Sequence, residues 1–139
     1  FWEGATLINQ IRGEWFNACS SLVAFCSPDK HKEDNVLYFQ YVLVRLASML
    51  YCFALQQVCE LQDDSFDIIS LDTMEAGSLE HLQSTNDRDR AELVFQWLQA
   101  HILDGDRAKT LDVPPPILSR AFQELSRGMA TLNNVQKIK

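Results

Sequence analysis

Glycine and proline are scarce in this chain, five and four among 139 residues, which excludes a flexible linker, a collagen-like repeat or a disordered tail. Positive charge is in deficit too. Twelve Lys and Arg stand against 19 Asp and Glu, for a formal net charge of −7 at pH 7. An acidic surface does not release counterions from a phosphate backbone, so sequence-independent nucleic-acid binding is not expected. The first residues lack the basic start, apolar centre and small-residue cleavage site of a secretory leader. There is no glycine-rich phosphate loop, no GxSxG elbow and no HExxH pair. The three histidines, His31, His81 and His101, fall in separate segments. Without a nucleophile, an acid/base pair or a ligand cluster at useful spacing, neither enzymatic activity nor a metal or cofactor is expected.

The four cysteines, Cys19, Cys26, Cys52 and Cys59, form two pairs seven residues apart. On a helix that spacing is about 10 Å of rise, beyond disulfide reach, and it matches no usual zinc pattern. They read as small core-facing hydrophobes in a reducing compartment. Trp2, Trp15, Phe16 and Trp97 recur at helical spacings and read as packing, because the basic residues of a base-stacking platform are missing.

With 47% apolar residues the chain can bury one core, and its periodicity is helical throughout. Ile8, Ile11, Trp15, Ala18, Leu22 and Phe25 recur at steps of three and four, predicting a helix over residues 5–26 that Ser27, Pro28 and Asp29 stop. Gly13 inside it either weakens the helix or marks a close crossing. A second helix is predicted from Asn35 to Gln62. Residues 37–55 are apolar almost all round, long enough to cross a bilayer. Arg45 near the middle and tyrosines spread along the run instead favour a central buried helix, in which Arg45 needs an acidic partner.

Between Glu60 and Asp106 the charge is concentrated, twelve acidic residues against two basic ones. Asp63, Asp64, Asp67 and Asp72 lack the turn glycine and terminal Glu of an EF-hand, so this is expected to be a solvated acidic connector, with a short helix at Ala76–Gln83. A third helix is predicted from Asn86 or Asp87, with Leu93, Val94, Trp97, Leu98, Ile102 and Leu103 as its buried stripe and Gly105 as a left-handed cap. Pro114, Pro115 and Pro116 then lead into a fourth helix from Ile117 to the end. The fold class expected is all-α, a bundle of three or four long helices joined by an acidic connector, with residues 1–139 forming one domain.

Three stretches resemble the bestrophin family of pentameric anion channels. PPPILSRAFQELSRGMATLNNVQKIK, from Pro114 to Lys139, resembles the segment before the third transmembrane helix. FWEGATLINQIRGEWFNACSSLVAF is similar to the stretch leaving the second, and LYFQYVLVRLASMLYCFALQ to the cytosolic helix that follows. The resemblance implies a water-facing piece of a longer membrane protein, in keeping with a start at Phe1 and ends in helical sequence. It also implies chloride or another small anion as the permeant species, and a homo-oligomer of five subunits in which Ile117, directly after the prolines, forms an apolar pore constriction. A core position at a helix start is the competing reading of Ile117. The family has plastid members, and the sequence resembles the algal ones, which implies a thylakoid membrane as the host. The other reading is a bestrophin-derived accessory or scaffold subunit of a large membrane complex, without channel activity.

Overall fold

The computed structural model describes residues 2–59 and 87–135. Within them lie four long helices: α1 (Trp2–Ala24), α2 (Glu33–Cys59), α3 (Asp87–Arg107) and α4 (Pro115–Val135). The protein is an all-α helical bundle, and among the described residues no strand occurs beyond an isolated bridge between Cys26 and Leu111. The short helix expected at Ala76–Gln83, the aspartates Asp63, Asp64, Asp67 and Asp72, His81, and the end of the second helix at Gln62 lie outside the described residues.

The helices pair as α1 with α4 and α2 with α3, and α1 against α2 joins the two pairs. The α1 stripe lies where its spacing places it, with Ile11, Trp15, Ala18 and Leu22 buried. They face Leu118, Ala121, Leu125, Met129 and Leu132, which repeat at three- and four-residue steps along α4. In the other pair, Phe39, Leu43, Leu50 and Phe53 of α2 pack with Ala91, Val94, Leu98 and Ile102 of α3.

Two glycines set how closely each pair approaches. Gly128 of α4 is buried, and a Cβ there would overlap the indole of Trp15. That indole donates Nε1–H to the Leu125 carbonyl at 3.1 Å. Gly105 of α3 plays the same part for α2, since a Cβ would lie 2.6 Å from Cε1 of Phe39. Both expectations about glycine change accordingly. Gly105 does not cap α3: the helix continues to Arg107, and the left-handed residue is Lys109, at φ 63°. Nor does Gly13 mark a crossing, because it is exposed and a Cβ there meets nothing within 4 Å. Leu103, expected in the buried stripe of α3, is exposed.

The loops at one end of the bundle are tied to each other. Ser27 N–H donates to Thr110 O at 2.8 Å, and Asp112 N–H donates to Phe25 O at 2.7 Å. Lys32 Nζ donates to Ala108 O at 2.7 Å, satisfying a carbonyl that the end of α3 leaves open. The Asp29 side chain accepts from His31 N at 2.9 Å and caps a single 3₁₀ turn, Lys30–Lys32, that leads into α2.

The two glycine environments predict substitutions of opposite sign. Gly128→Ala forces the indole out of its notch and should lower unfolding free energy by about 1–3 kcal/mol, the usual cost of overpacking. Gly13→Ala, in open space on a helix, should raise it by about 0.5–1 kcal/mol. Urea denaturation of the two variants checks both; equal effects would remove Gly128 as the determinant of the α1/α4 crossing.

Candidate functional site

Two places on the bundle remain open after the core is accounted for: the first turn of α4, and the face where α1 and α2 meet solvent.

The α4 turn starts where the loop tie leaves the chain. Ile117 and Leu118 N–H both donate to Pro114 O, at 3.0 and 3.3 Å. Pro115 and Pro116 occupy first-turn positions, where a missing N–H costs nothing. Leu118 turns into the core at 6% exposure, whereas Ile117 remains 38% exposed. Ile117 is therefore not a core residue of this chain. Arg120, one turn further on, is exposed on the same helix, as is Arg127, while Arg107 at the end of α3 and Lys109 in the loop after it are exposed as well.

The second place lies on α2. The span Lys30–Val58 has a mean hydropathy of 1.5 in its most apolar stretch, and only 28% of that stretch is buried. By length and composition it could cross a membrane. The expectation of a helix buried on all sides is corrected: one face packs on α1 and α3, but Leu37, Tyr38, Tyr41 and Val44 stand in solvent, Tyr38 at 68% exposure. Phe16 on α1, 70% exposed, and Val23 extend this apolar surface across the α1/α2 crevice. The crevice is a groove of about 510 Å³, with Trp15, Cys19, Ala47 and Tyr51 among the residues lining it. Such a volume is in the range of ligand and peptide sites.

Arg45 is half-buried on α2 beside this surface. Its guanidinium lies 4.6 Å from the centroid of the Tyr41 ring and donates to the Tyr41 hydroxyl. Among the described residues the acidic partner expected for it does not occur, and the ring of Tyr41 takes that place. Arg12 also lines the groove, and none of the described lining residues is acidic.

The cysteines are less deeply placed than expected: Cys19, Cys26 and Cys52 are half-buried thiols. Burial pushes the Cys19 thiol up to about 11, because the apolar groove wall disfavours a thiolate. Cys26 is raised for the same reason, partly offset by a hydrogen bond from Gln40. His31 is exposed in the 3₁₀ turn. His101 is half-buried, stacks on Phe39 with ring centroids 4.5 Å apart, and bonds through Nε2 to the Phe39 carbonyl at 2.9 Å. Among the described residues no group of three or more His, Cys, Asp or Glu is placed to hold a metal ion.

Comparison of the chain with protein-family models, with curated protein sequences and with solved structures finds no match in any of the three.

Because the folded Cys19 thiol ionises later than a free thiol, the native state holds its proton through a window where the unfolded chain has lost it. The stability this contributes is present below pH 9, the ordinary value, and is lost as pH rises toward 11. Denaturation midpoints between pH 8 and 10.5 should therefore fall less steeply in Cys19→Ala than in the parent, and alkylation of Cys19 by iodoacetamide at pH 8 should be slower than that of a free cysteine.

Proposed function

We propose that this chain is the water-facing region of a bestrophin-like anion channel, between its second and third membrane helices, and that five copies of Ile117 form an apolar constriction on the pore axis. The observation that carries this reading is the contrast within one turn: Leu118 is buried while Ile117 projects to solvent directly after Pro114–Pro116. A ring of isoleucines narrows the path and makes passage depend on the cost of stripping water from the ion.

Electrostatics fit an anion. Residues 107–139 carry six basic and two acidic side chains, and Arg120 lies one turn from Ile117, where it raises the local anion concentration. The −10 stretch from Glu60 to Asp106 belongs on the outside of such a ring, where charges more than about 8–10 Å from the permeating ion are screened. Chloride is the natural permeant ion, a homopentamer the working assembly, and a thylakoid membrane the host that the plastid resemblance suggests. No cofactor or catalytic step enters this reading.

A second reading, an accessory or scaffold subunit of a larger membrane complex, is favoured by the apolar surface that Phe16, Leu37, Tyr38 and Tyr41 leave open, since surfaces of this kind mark contacts between proteins.

The two separate in one experiment. In the full-length protein reconstituted into liposomes, Ile117→Ala should change relative anion permeability or conductance several-fold and leave the oligomer intact by size-exclusion chromatography. Unchanged permeation removes Ile117 from the pore, and absence of anion flux in the parent protein leaves the scaffold reading.

A further inference from the structure

We infer that the groove between α1 and α2 is the docking site of an acidic amphipathic helix from another polypeptide, and that this helix supplies Arg45 with the carboxylate that none of the described residues gives it. The inference is independent of the pore reading, because it uses neither Ile117 nor a ring of subunits.

Shape is the first support. From Leu37 to Tyr51 the open face of α2 spans 15 residues, a rise of about 21 Å at 1.5 Å per residue, and its Val44–Tyr51 part lines the groove. Leu37, Tyr41, Val44, Ser48 and Tyr51 recur along it at steps of three and four, so they form one continuous stripe. Phe16, Cys19 and Val23 on α1 recur in the same way along the opposite wall. A crevice between two packed helices, floored by apolar side chains, accepts a third helix of about four turns by the ridge-and-groove packing that joins the helices of the bundle itself.

Charge selects the occupant. Arg12 lines the groove from α1, and Arg45 stands on α2 between Tyr41 and Ser48, one turn from each. Among the described residues no acidic side chain lines the groove to answer them. A half-buried guanidinium whose partners among the described residues are a phenol ring and its hydroxyl retains capacity for a bidentate carboxylate, its strongest partner. A helix with a leucine-type stripe flanked by Glu on both sides meets both cations as it covers the apolar floor. Basic helices are rejected, since they would bury like charges together.

Area agrees with a docked helix. Phe16 and Tyr38 are each about two-thirds exposed and Tyr41 about half. At roughly 200 Å² per aromatic side chain these three alone leave several hundred Å² of apolar surface, at the upper end of what a free monomer shows.

The test uses two 18-residue helical peptides with the same leucine stripe, one flanked by glutamates and one by lysines, titrated into the chain with fluorescence anisotropy as the readout. The glutamate peptide should bind at least tenfold more tightly than the lysine peptide, and Arg12→Glu with Arg45→Glu should invert that order. Val44→Asp, on the exposed stripe, should abolish binding of both while leaving the circular dichroism spectrum and thermal midpoint unchanged. Equal binding of the two peptides, binding of neither, or insensitivity to the arginine reversals overturns the proposal. Two further results also overturn it, by assigning the groove to another occupant: self-association of the chain at micromolar concentration that Val44→Asp abolishes, or binding to phosphatidylcholine/phosphatidylglycerol vesicles in place of either peptide.

Discussion

The contact on which the bundle depends is the insertion of the Trp15 indole into the notch that Gly128 leaves on α4. A tryptophan is the largest side chain available, and it can lie flat between two helices only where the facing backbone has no Cβ. Its N–H would be a buried orphan in that position; the Leu125 carbonyl at 3.1 Å receives it and removes a desolvation cost of about 1–3 kcal/mol. The α2/α3 pair repeats the device with Phe39 over Gly105, reinforced by His101, which stacks on the ring and bonds the carbonyl of the same residue. Each helix pair is thus registered by one aromatic and one glycine, and the leucines, valines and isoleucines around them fill the space that this register defines.

Registered pairs still have to be joined, and the backbone does it at one end. Phe25, Ser27, Thr110 and Asp112 bond across two inter-helix loops as a fragment of antiparallel ladder, while Lys32 reaches the open carbonyl of Ala108. These contacts fix where the chain emerges before Pro114. The orientation of the first turn of α4 follows from them, and with it the outward position of Ile117.

Helix α2 shows the opposite case, a residue whose demand none of the described residues meets. An arginine in an apolar helix calls for a carboxylate when the helix is buried. The bundle buries the side of α2 that bears Phe39, Leu43, Leu50 and Phe53, so Arg45 emerges on the half-open side, beside Tyr41, with part of its charge still hydrated. The apolar stripe beside it and Arg12 on the α1 side of the groove give that surface a sign and a shape.

Much of this architecture is legible in the order of residues. The three- and four-residue recurrence of Ile11, Trp15, Ala18 and Leu22, the stop at Ser27–Pro28, and the prolines before Ile117 specify helices and their breaks because they act through local backbone geometry, with the starts of the four helices displaced by no more than three residues. What only the tertiary structure decided are the roles that depend on a neighbour distant in sequence. Gly105 and Gly13 looked like a cap and a crossing, yet the crossing is at Gly128, since a glycine's use is defined by the side chain opposite it and Trp15 lies 113 residues away. The exposure of Ile117, the open face of α2 and the pairing of Arg45 with Tyr41 share that origin: periodicity says that a helix has an apolar face, and packing decides which part of it is covered.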